Sequence, residues 1–356
     1  MEILPASVYA PIFYNLVLLL VLFKCGQLYT NGRNSLWILA LFLIFFLGLR
    51  PVSGRYFVDT ANYAQSYDVI AYAEKFEWDK EWVFNGLMFL FAKSGLSVHV
   101  FFFIVEVAYI GFSAWACKRL FDRYGYLAFL VVIGSFSFYS YGINGIRNGM
   151  AAAIMILALS YLENNKWKAA LLAFVAVNVH NSMLLPLVAM IACLVHNNTK
   201  YYFYFWLFSI VVSATVGSTI ETLIAGSGLV EDERFSGYLT EHSAAGTFSS
   251  TGFRWDFLLY SCVPILIGYY YVVKKGFQDK TYLFFLNTYI LANSFWVMVI
   301  RANFSNRFAY LSWFLYGIVL VYPFLKCEYV KGRDAKLRLV LLGNVAFTYF
   351  MWLIGK

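Results

Sequence analysis

The chain has 356 residues, of which 62% are hydrophobic and only 13% charged, and it carries a formal net charge of +8. Soluble globular domains carry about 25% charged residues, so half that share excludes an ordinary soluble protein and indicates an integral membrane protein. In such a chain a basic balance first means cytoplasmic loops, and no nucleic acid is expected as a partner.

Aromatic residues make up 21% of the chain, in keeping with Trp and Tyr anchors at membrane interfaces. The five cysteines, Cys25, Cys117, Cys193, Cys262 and Cys327, are scattered and fit neither a zinc template nor a disulfide framework. The first residues, MEILPASVYA, lack the basic region of a cleavable signal peptide.

About 20 apolar residues are needed to cross the hydrocarbon core. Taken in chain order, the segments that meet this are 8–23, 35–49, 97–117, 124–141, 146–163, 201–220, 256–273, 281–300, 307–325 and 338–354. Between 163 and 200, a single helix would carry Asn178, His180 and Asn181 through its middle and invert the sidedness of everything after it. Two short arms meeting near His180 and Asn181 keep the charges in order. The expected fold is therefore an all-α polytopic transmembrane bundle of 10 to 12 membrane segments, with a broken or re-entrant pair near His180. The whole chain, 1–356, forms one membrane domain, with no internal repeat and no separable soluble part.

With the N-terminus outside, the inner loops hold 16 of the 27 basic residues and five of the 19 acids, satisfying the positive-inside rule. The inner set has 11 Lys and 5 Arg, the outer set 4 Lys and 7 Arg. Lysine is the usual solvated topology charge, whereas arginine grips phosphate or carboxylate oxygens in a two-pronged way. Two outer segments have room for structure of their own. Residues 50–96 form an outer loop whose second half reads as an amphipathic surface helix, and residues 221–255, rich in Gly, Ser and Thr, read as an outer loop or lid. No GxxxxGK[ST] phosphate loop is present, which argues against an ATP-driven pump.

Four polar patches fall on the outer side. Arg50, Arg55, Asp59 and Tyr63, followed by Glu81, form the first; Asn144, Arg147 and Asn148 open a helix near 146. Asn178, His180, Asn181 and Ser182 lie at the break, and Arg301, Asn303, Asn306 and Arg307 stand in RANFSNRF. Singly, each has an ordinary reading: an arginine at a helix end is an interface anchor, a lone histidine a packing residue, and a loop acid is simply solvated. Together they are ionisable groups at the membrane, which are costly and gather around function. Arg147 adds a specific point. A helix N-terminus already favours anions, so a cation placed there gains only if an anion is to be bound.

These residues resemble the EpsG family. GLRPVSGRYFVDTANY is similar to the family's R…G…D…Y stretch after the second helix, and GIRNGMAAAIMILA to its Arg-x-x-(Gly/Ala)-(Met/Leu)-Ala helix opening. VNVHNSMLL matches its His-x-Ser motif, NRFAYLSWF its late Arg-(Phe/Leu) helix and, more loosely, EWVFNGL its Glu segment. The ordered set runs through nearly the whole chain.

The resemblance implies a Wzy-like polymerase or related membrane glycosyltransferase of bacterial surface polysaccharide (O-antigen, capsule or exopolysaccharide), in the inner membrane with its site facing the periplasm or cell exterior. Its implied substrate is an undecaprenyl-pyrophosphate-linked oligosaccharide, and its implied partners are the lipid bilayer, a chain-length regulator and a flippase.

Such a reaction deprotonates an acceptor hydroxyl and stabilises a departing pyrophosphate. Arg147, Arg307 and Arg301 fit the pyrophosphate-binding role without a metal or other cofactor. His180 leads as the base, because an ordinary imidazole titrates near about 6.5, with Asp59 and Glu81 as the other catalytic residues. Arg50, Arg55, Tyr63, Asn144 and Asn181 fit substrate binding. Three other classes share parts of this pattern: a flippase or other transporter, a ligase-like or acyl-transfer enzyme, and a non-enzymatic scaffold. A transporter, however, lines a path to both faces with polar groups, whereas here they lie on one side.

Overall fold

A computed structural model describes residues 4–28, 33–226, 252–302, 305–328 and 330–355. These residues are helical, with no strand among them. Five stretches are long and apolar enough to cross a membrane: Ala6–Gly26, Val98–Ile133, Trp255–Lys274, Ser305–Lys326 and Arg333–Ile354. Shorter apolar helices include Ser35–Gly48, Trp82–Lys93, Ile146–Tyr161 and Asn181–Val195. The chain is a multi-pass helical membrane protein. It divides into two compact units, residues 1–184 with 324–356, and residues 185–323.

The first unit contains α1 (Tyr9–Gly26), α2 (Arg33–Gly48), α3 (Asp59–Tyr72), α4 (Trp82–Lys93), α5 (Val98–Phe121), α6 (Gly125–Ile133), α7 (Phe138–Ile143), α8 (Ile146–Tyr161), α9 (Lys166–Val179) and α16 (Arg333–Ile354). Helix α1 buries Phe13, Val17 and Val21 at i, i+4 spacing. Its opposite face exposes Leu19, Leu22 and Phe23, as a lipid-facing helix does. Helix α8 differs. From Asn148 to Ser160 every residue is buried, so it is the central helix of the unit, packed between α5 and α9.

The expected crossing over 124–141 is not one helix. Helix α6 stops at Ile133, and α7 starts only at Phe138. The run GSFS interrupts the apolar series, and side chains of α16 take over the freed backbone carbonyls. Asn344 Nδ2 donates to Val131 O at 2.9 Å and Thr348 Oγ1 to Gly134 O at 2.8 Å. Irregular backbone inside a membrane protein is tolerated where such partners exist.

The expected break at His180 is present. Helix α9 ends at Val179, His180 is extended (φ −151°, ψ 119°), a short turn covers Asn181–Met183, and α10 (Leu184–Val195) follows. The 50–96 region holds α3 and α4, and α4 buries Phe84, Met88 and Ala92 as one stripe.

The second unit contains most of α10, with α11 (Thr199–Gly226), α12 (Trp255–Tyr269), α13 (Lys280–Met298), α14 (Ser305–Trp313) and α15 (Tyr316–Lys326), the last crossing into the first unit after residue 323. Its interior is aromatic, and each buried indole N–H finds a partner: Trp206 donates to Asn293 Oδ1 (2.8 Å), Trp296 to Ser305 Oγ (2.9 Å) and Trp313 to Ser261 Oγ (2.6 Å). Such pairs fix helix register where no water can substitute. Of the expected outer loop 221–255, residues 221–226 end α11 and Trp255 begins α12; residues 227–251 lie outside the described set, as does Asn303.

Candidate active site

Three irregular points of the first unit meet: the connection from α3 to α4 at Glu81, the start of α8, and the α9 break at His180. Glu81 is the hub. Its Oε1 accepts from His180 Nδ1 and, at 3.0 Å, from the backbone N–H of Asn181. Its Oε2 lies 2.5 Å from a guanidinium nitrogen of Arg147. The Glu81 backbone is left-handed, φ 63° and ψ 31°, a conformation of order 1–3 kcal/mol above the ordinary regions for a non-glycine residue. Backbone strain of this kind gathers at functional positions.

Burial alone would push the Glu81 carboxyl up. The hydrogen bond from His180, the charges of His180 and Arg147, and the Asn181 N–H together hold it below the ordinary carboxylate range. Glu81 is therefore an anion at neutral pH. An ionised carboxylate only accepts hydrogen bonds, so His180 Nδ1 carries the proton facing it and Nε2 is left as the imidazole's second functional atom. All three side chains keep an open edge, at 13% exposed for Glu81, 22% for Arg147 and 24% for His180.

Arg147 stands in the first turn of α8. Its guanidinium lies 6.0 Å from the centre of the Tyr63 ring and 5.8 Å from that of Phe84, within cation–π range. Its Nε is buried and has no partner among the described residues; the same holds for Asn148 Oδ1 and Ser182 Oγ, beside Arg147 and near His180 in sequence. The close seating of the α7–α8 turn depends on a glycine. A Cβ at Gly149 would come 2.5 Å from the Tyr141 carbonyl oxygen, so only glycine lets α7 lie against the opening of α8.

The start of α3 is pinned to the same turn. The Asp59 N–H donates to Asn144 Oδ1 and Thr60 Oγ1 donates to Ile143 O, both at 2.8 Å. Asp59 thus stands beside the α8 entry through its backbone, and the Asn144 side chain is engaged in holding the turn. Of the residues expected from sequence, the structure brings together Glu81, Arg147, His180, Asn181 and Tyr63, with Asp59 and Asn144 adjoining.

The other expected residues have different partners. Arg50 was expected to bind substrate, but it is fully buried and donates to Glu106 Oε1 at 2.9 Å and Leu47 O at 2.7 Å, tying the end of α2 to α5. Arg55 is exposed, 5.4 Å from the centre of the Tyr56 ring. Arg301 and Arg307 belong to the second unit. There Arg301 donates to Ala214 O at 3.4 Å, beside the kink of α11 at Val216, and Arg307 stands in the first turn of α14.

Two interacting residues were not among those expected from sequence. Phe84 is one, although the Phe84, Met88 and Ala92 spacing already marks a buried stripe. Glu106 is the other, a lone acid in the apolar run VFFFIVEVAYIGF that required a buried partner.

The sequence model of the EpsG family matches residues 34–355. No curated protein and no solved structure matches the chain.

Proposed function

The chain belongs to the EpsG family, and on that premise we propose that it polymerises a bacterial surface polysaccharide. The donor is a glycan on undecaprenyl pyrophosphate, the acceptor is a hydroxyl of a lipid-linked repeat unit, and the site faces the periplasm or cell exterior. The observation that carries this reading is the placement of Glu81, which joins a guanidinium for an anionic leaving group to an imidazole for the attacking hydroxyl.

His180 Nε2 takes the proton of the acceptor hydroxyl as its oxygen attacks the anomeric carbon. The bond from that carbon to the pyrophosphate oxygen breaks, and undecaprenyl pyrophosphate leaves with the electron pair. Glu81 orients the imidazole and stabilises it once charged, as carboxylates do for base histidines. Arg147 meets the growing negative charge with the exposed edge of its guanidinium that Glu81 does not engage, and the N-terminal dipole of α8 adds to this. Tyr63 and Phe84 hold the guanidinium flat.

A further support comes from charge. Arg119 (bonded to Ser160 at 3.1 Å) and Lys168 (over the Tyr161 ring) gather at the opposite end of α8 from Arg147. That helix of 16 residues is about 24 Å long, so basic loop and candidate site are separated as positive-inside topology requires. Asp59, next to the α8 entry, is proposed as the other carboxylate of the catalytic set. Within the second unit, Arg301 and Arg307 are proposed as phosphate-binding arginines by their residue type and, for Arg307, by the family's late helix motif.

The test is reconstitution of the purified protein in lipid nanodiscs with undecaprenyl-pyrophosphate-linked repeat units. The reading predicts a polymer ladder with one undecaprenyl pyrophosphate released per bond formed. Transfer of the lipid-linked unit across vesicles without bond formation would assign a flippase instead.

A further inference from the structure

Between α3 and α4 the chain runs without helix or strand as AEKFEWDKE, residues 73–81. Four aromatic rings pack in series along it and onto α4. The Phe89 and Phe76 centroids are 5.5 Å apart, Phe76 and Trp78 5.1 Å, and Trp78 and Trp82 5.6 Å. Phe76 is seated on α4 over Gly86, where a Cβ would come 3.5 Å from its ring. Asn85 Nδ2 holds the other end, donating to Lys80 O at 3.2 Å. Trp78 is 79% exposed although it meets Phe76 edge-on (79°) and Trp82 at a tilt (48°), so the series is a braced ledge with one open ring.

The setting of this ledge indicates its ligand. Glu74, Lys75, Glu77, Asp79 and Lys80 alternate with the rings and are all exposed. With Glu81 they place four carboxylates and two ammonium groups in nine residues. Acyl chains reject that density of charge, whereas sugars match it. A pyranose offers one face of C–H groups, which lie against the electron-rich face of an aromatic ring, and a rim of hydroxyls, which bond to flanking carboxylates and ammonium groups. Trp82 directly follows Glu81, so the ledge runs into the site already described.

We infer that Trp78 and Trp82, backed by Phe76, form a stacking platform for sugar rings of the glycan, holding the chain beside Glu81 as it grows. The inference rests on the polymerase reading for its occupant, but it can be tested without catalysis. The probe is the lipid-free polysaccharide released by mild acid from the producing cells, added to the full-length protein in nanodiscs. Tryptophan fluorescence should shift on addition, and Trp78→Phe should abolish most of the shift while leaving affinity near that of the parent. Trp78→Ala should raise the half-saturating concentration by roughly tenfold, one ring's stacking, and shorten the polymer in cells.

Binding indifferent to Trp78→Ala, with full-length polymer, would overturn the platform and leave the polymerase reading intact. A protein that binds the polysaccharide through Trp78 yet forms no glycosidic bond would overturn the polymerase reading and support the platform. Quenching of the Trp78 signal by bromine-labelled acyl chains would place the ring in the bilayer and overturn the platform as well.

Discussion

Glu81 and Arg147 form an ion pair at 2.5 Å in which the carboxylate still has an oxygen for His180 and the guanidinium still has a nitrogen without a partner among the described residues. Neither charge is used up by the other. The pair joins two jobs that the proposed chemistry keeps separate, since one side meets a leaving anion and the other orients a base.

Arg147→Lys keeps the charge and removes the planar fork. Without a second nitrogen it cannot hold Glu81 and a phosphate oxygen together. Polymer formation should fall by roughly 100-fold or more, the usual cost of one preorganised donor to developing charge, with expression and thermal stability near those of the parent. The measurement is ladder formation in cells, alongside a melting curve of the purified variant.

The acid limb of stability carries the contribution of Glu81. Its pKa in the folded protein lies below the ordinary carboxylate value, so its stabilising contribution is complete above that ordinary value and is lost as pH falls through the depressed one. The folded protein should therefore keep this contribution to a more acid pH than an ordinary glutamate would allow. Arg147→Ala removes one of the causes of the depression, so the acid limb of its melting temperature against pH should move to higher pH. A limb unmoved by this substitution would remove the Glu81–Arg147 pair from the pH dependence of stability.

Arg50 and Glu106 make a different kind of pair. Both are fully buried, and Arg50 Nε and Nη2 and Glu106 Oε2 have no hydrogen-bond partner among the described residues. Breaking such a pair leaves a buried charge uncompensated, at a cost of about 3–5 kcal/mol, whereas apolar replacement of both partners is close to neutral. Arg50→Met alone should lower the melting temperature strongly, and Arg50→Met with Glu106→Leu should restore most of it. Polymer made by the double variant would establish that Arg50 serves the fold rather than the substrate.

Gly149→Ala tests the seating of the site. Its Cβ would meet the Tyr141 carbonyl at 2.5 Å, which is backbone and cannot rotate away, so the α7–α8 turn must shift. Overpacking of this sort costs about 1–3 kcal/mol, and the shift would carry Arg147 away from Glu81. Loss of polymer beyond what the lowered stability explains is the expected result, read from activity at a temperature well below the melting point.

The helices were legible in the sequence because apolar length and interrupting polar residues are local properties. The break at His180 followed from Asn178, His180 and Asn181 standing in one apolar run, and Arg147 could be placed at a helix start from the segment boundary. The break after Ile133 was not legible. It depends on Asn344 and Thr348, far along the chain, accepting the role of backbone partners.

The partner of Arg50 was hidden for a related reason. An arginine at a helix end looks the same in sequence whether it faces water or a buried carboxylate. Glu106 was the clue, since an acid in the middle of an apolar helix demands such a partner. The centrality of Glu81 was equally hidden: its segment was the loosest of the family matches, and only the meeting of three distant turns makes it the hub.

The central claim is that Glu81, Arg147 and His180 act as one catalytic unit. The most direct measurement is the rate of bond formation by Glu81→Gln, purified in nanodiscs and supplied with undecaprenyl-pyrophosphate-linked repeat units. Glutamine keeps the size of the side chain and one accepting oxygen, but it sets an NH2 donor in place of the other and loses the charge that holds both partners. The account predicts a correctly folded protein whose rate falls by roughly 100-fold or more. Polymerisation at the parent rate by that variant would contradict it.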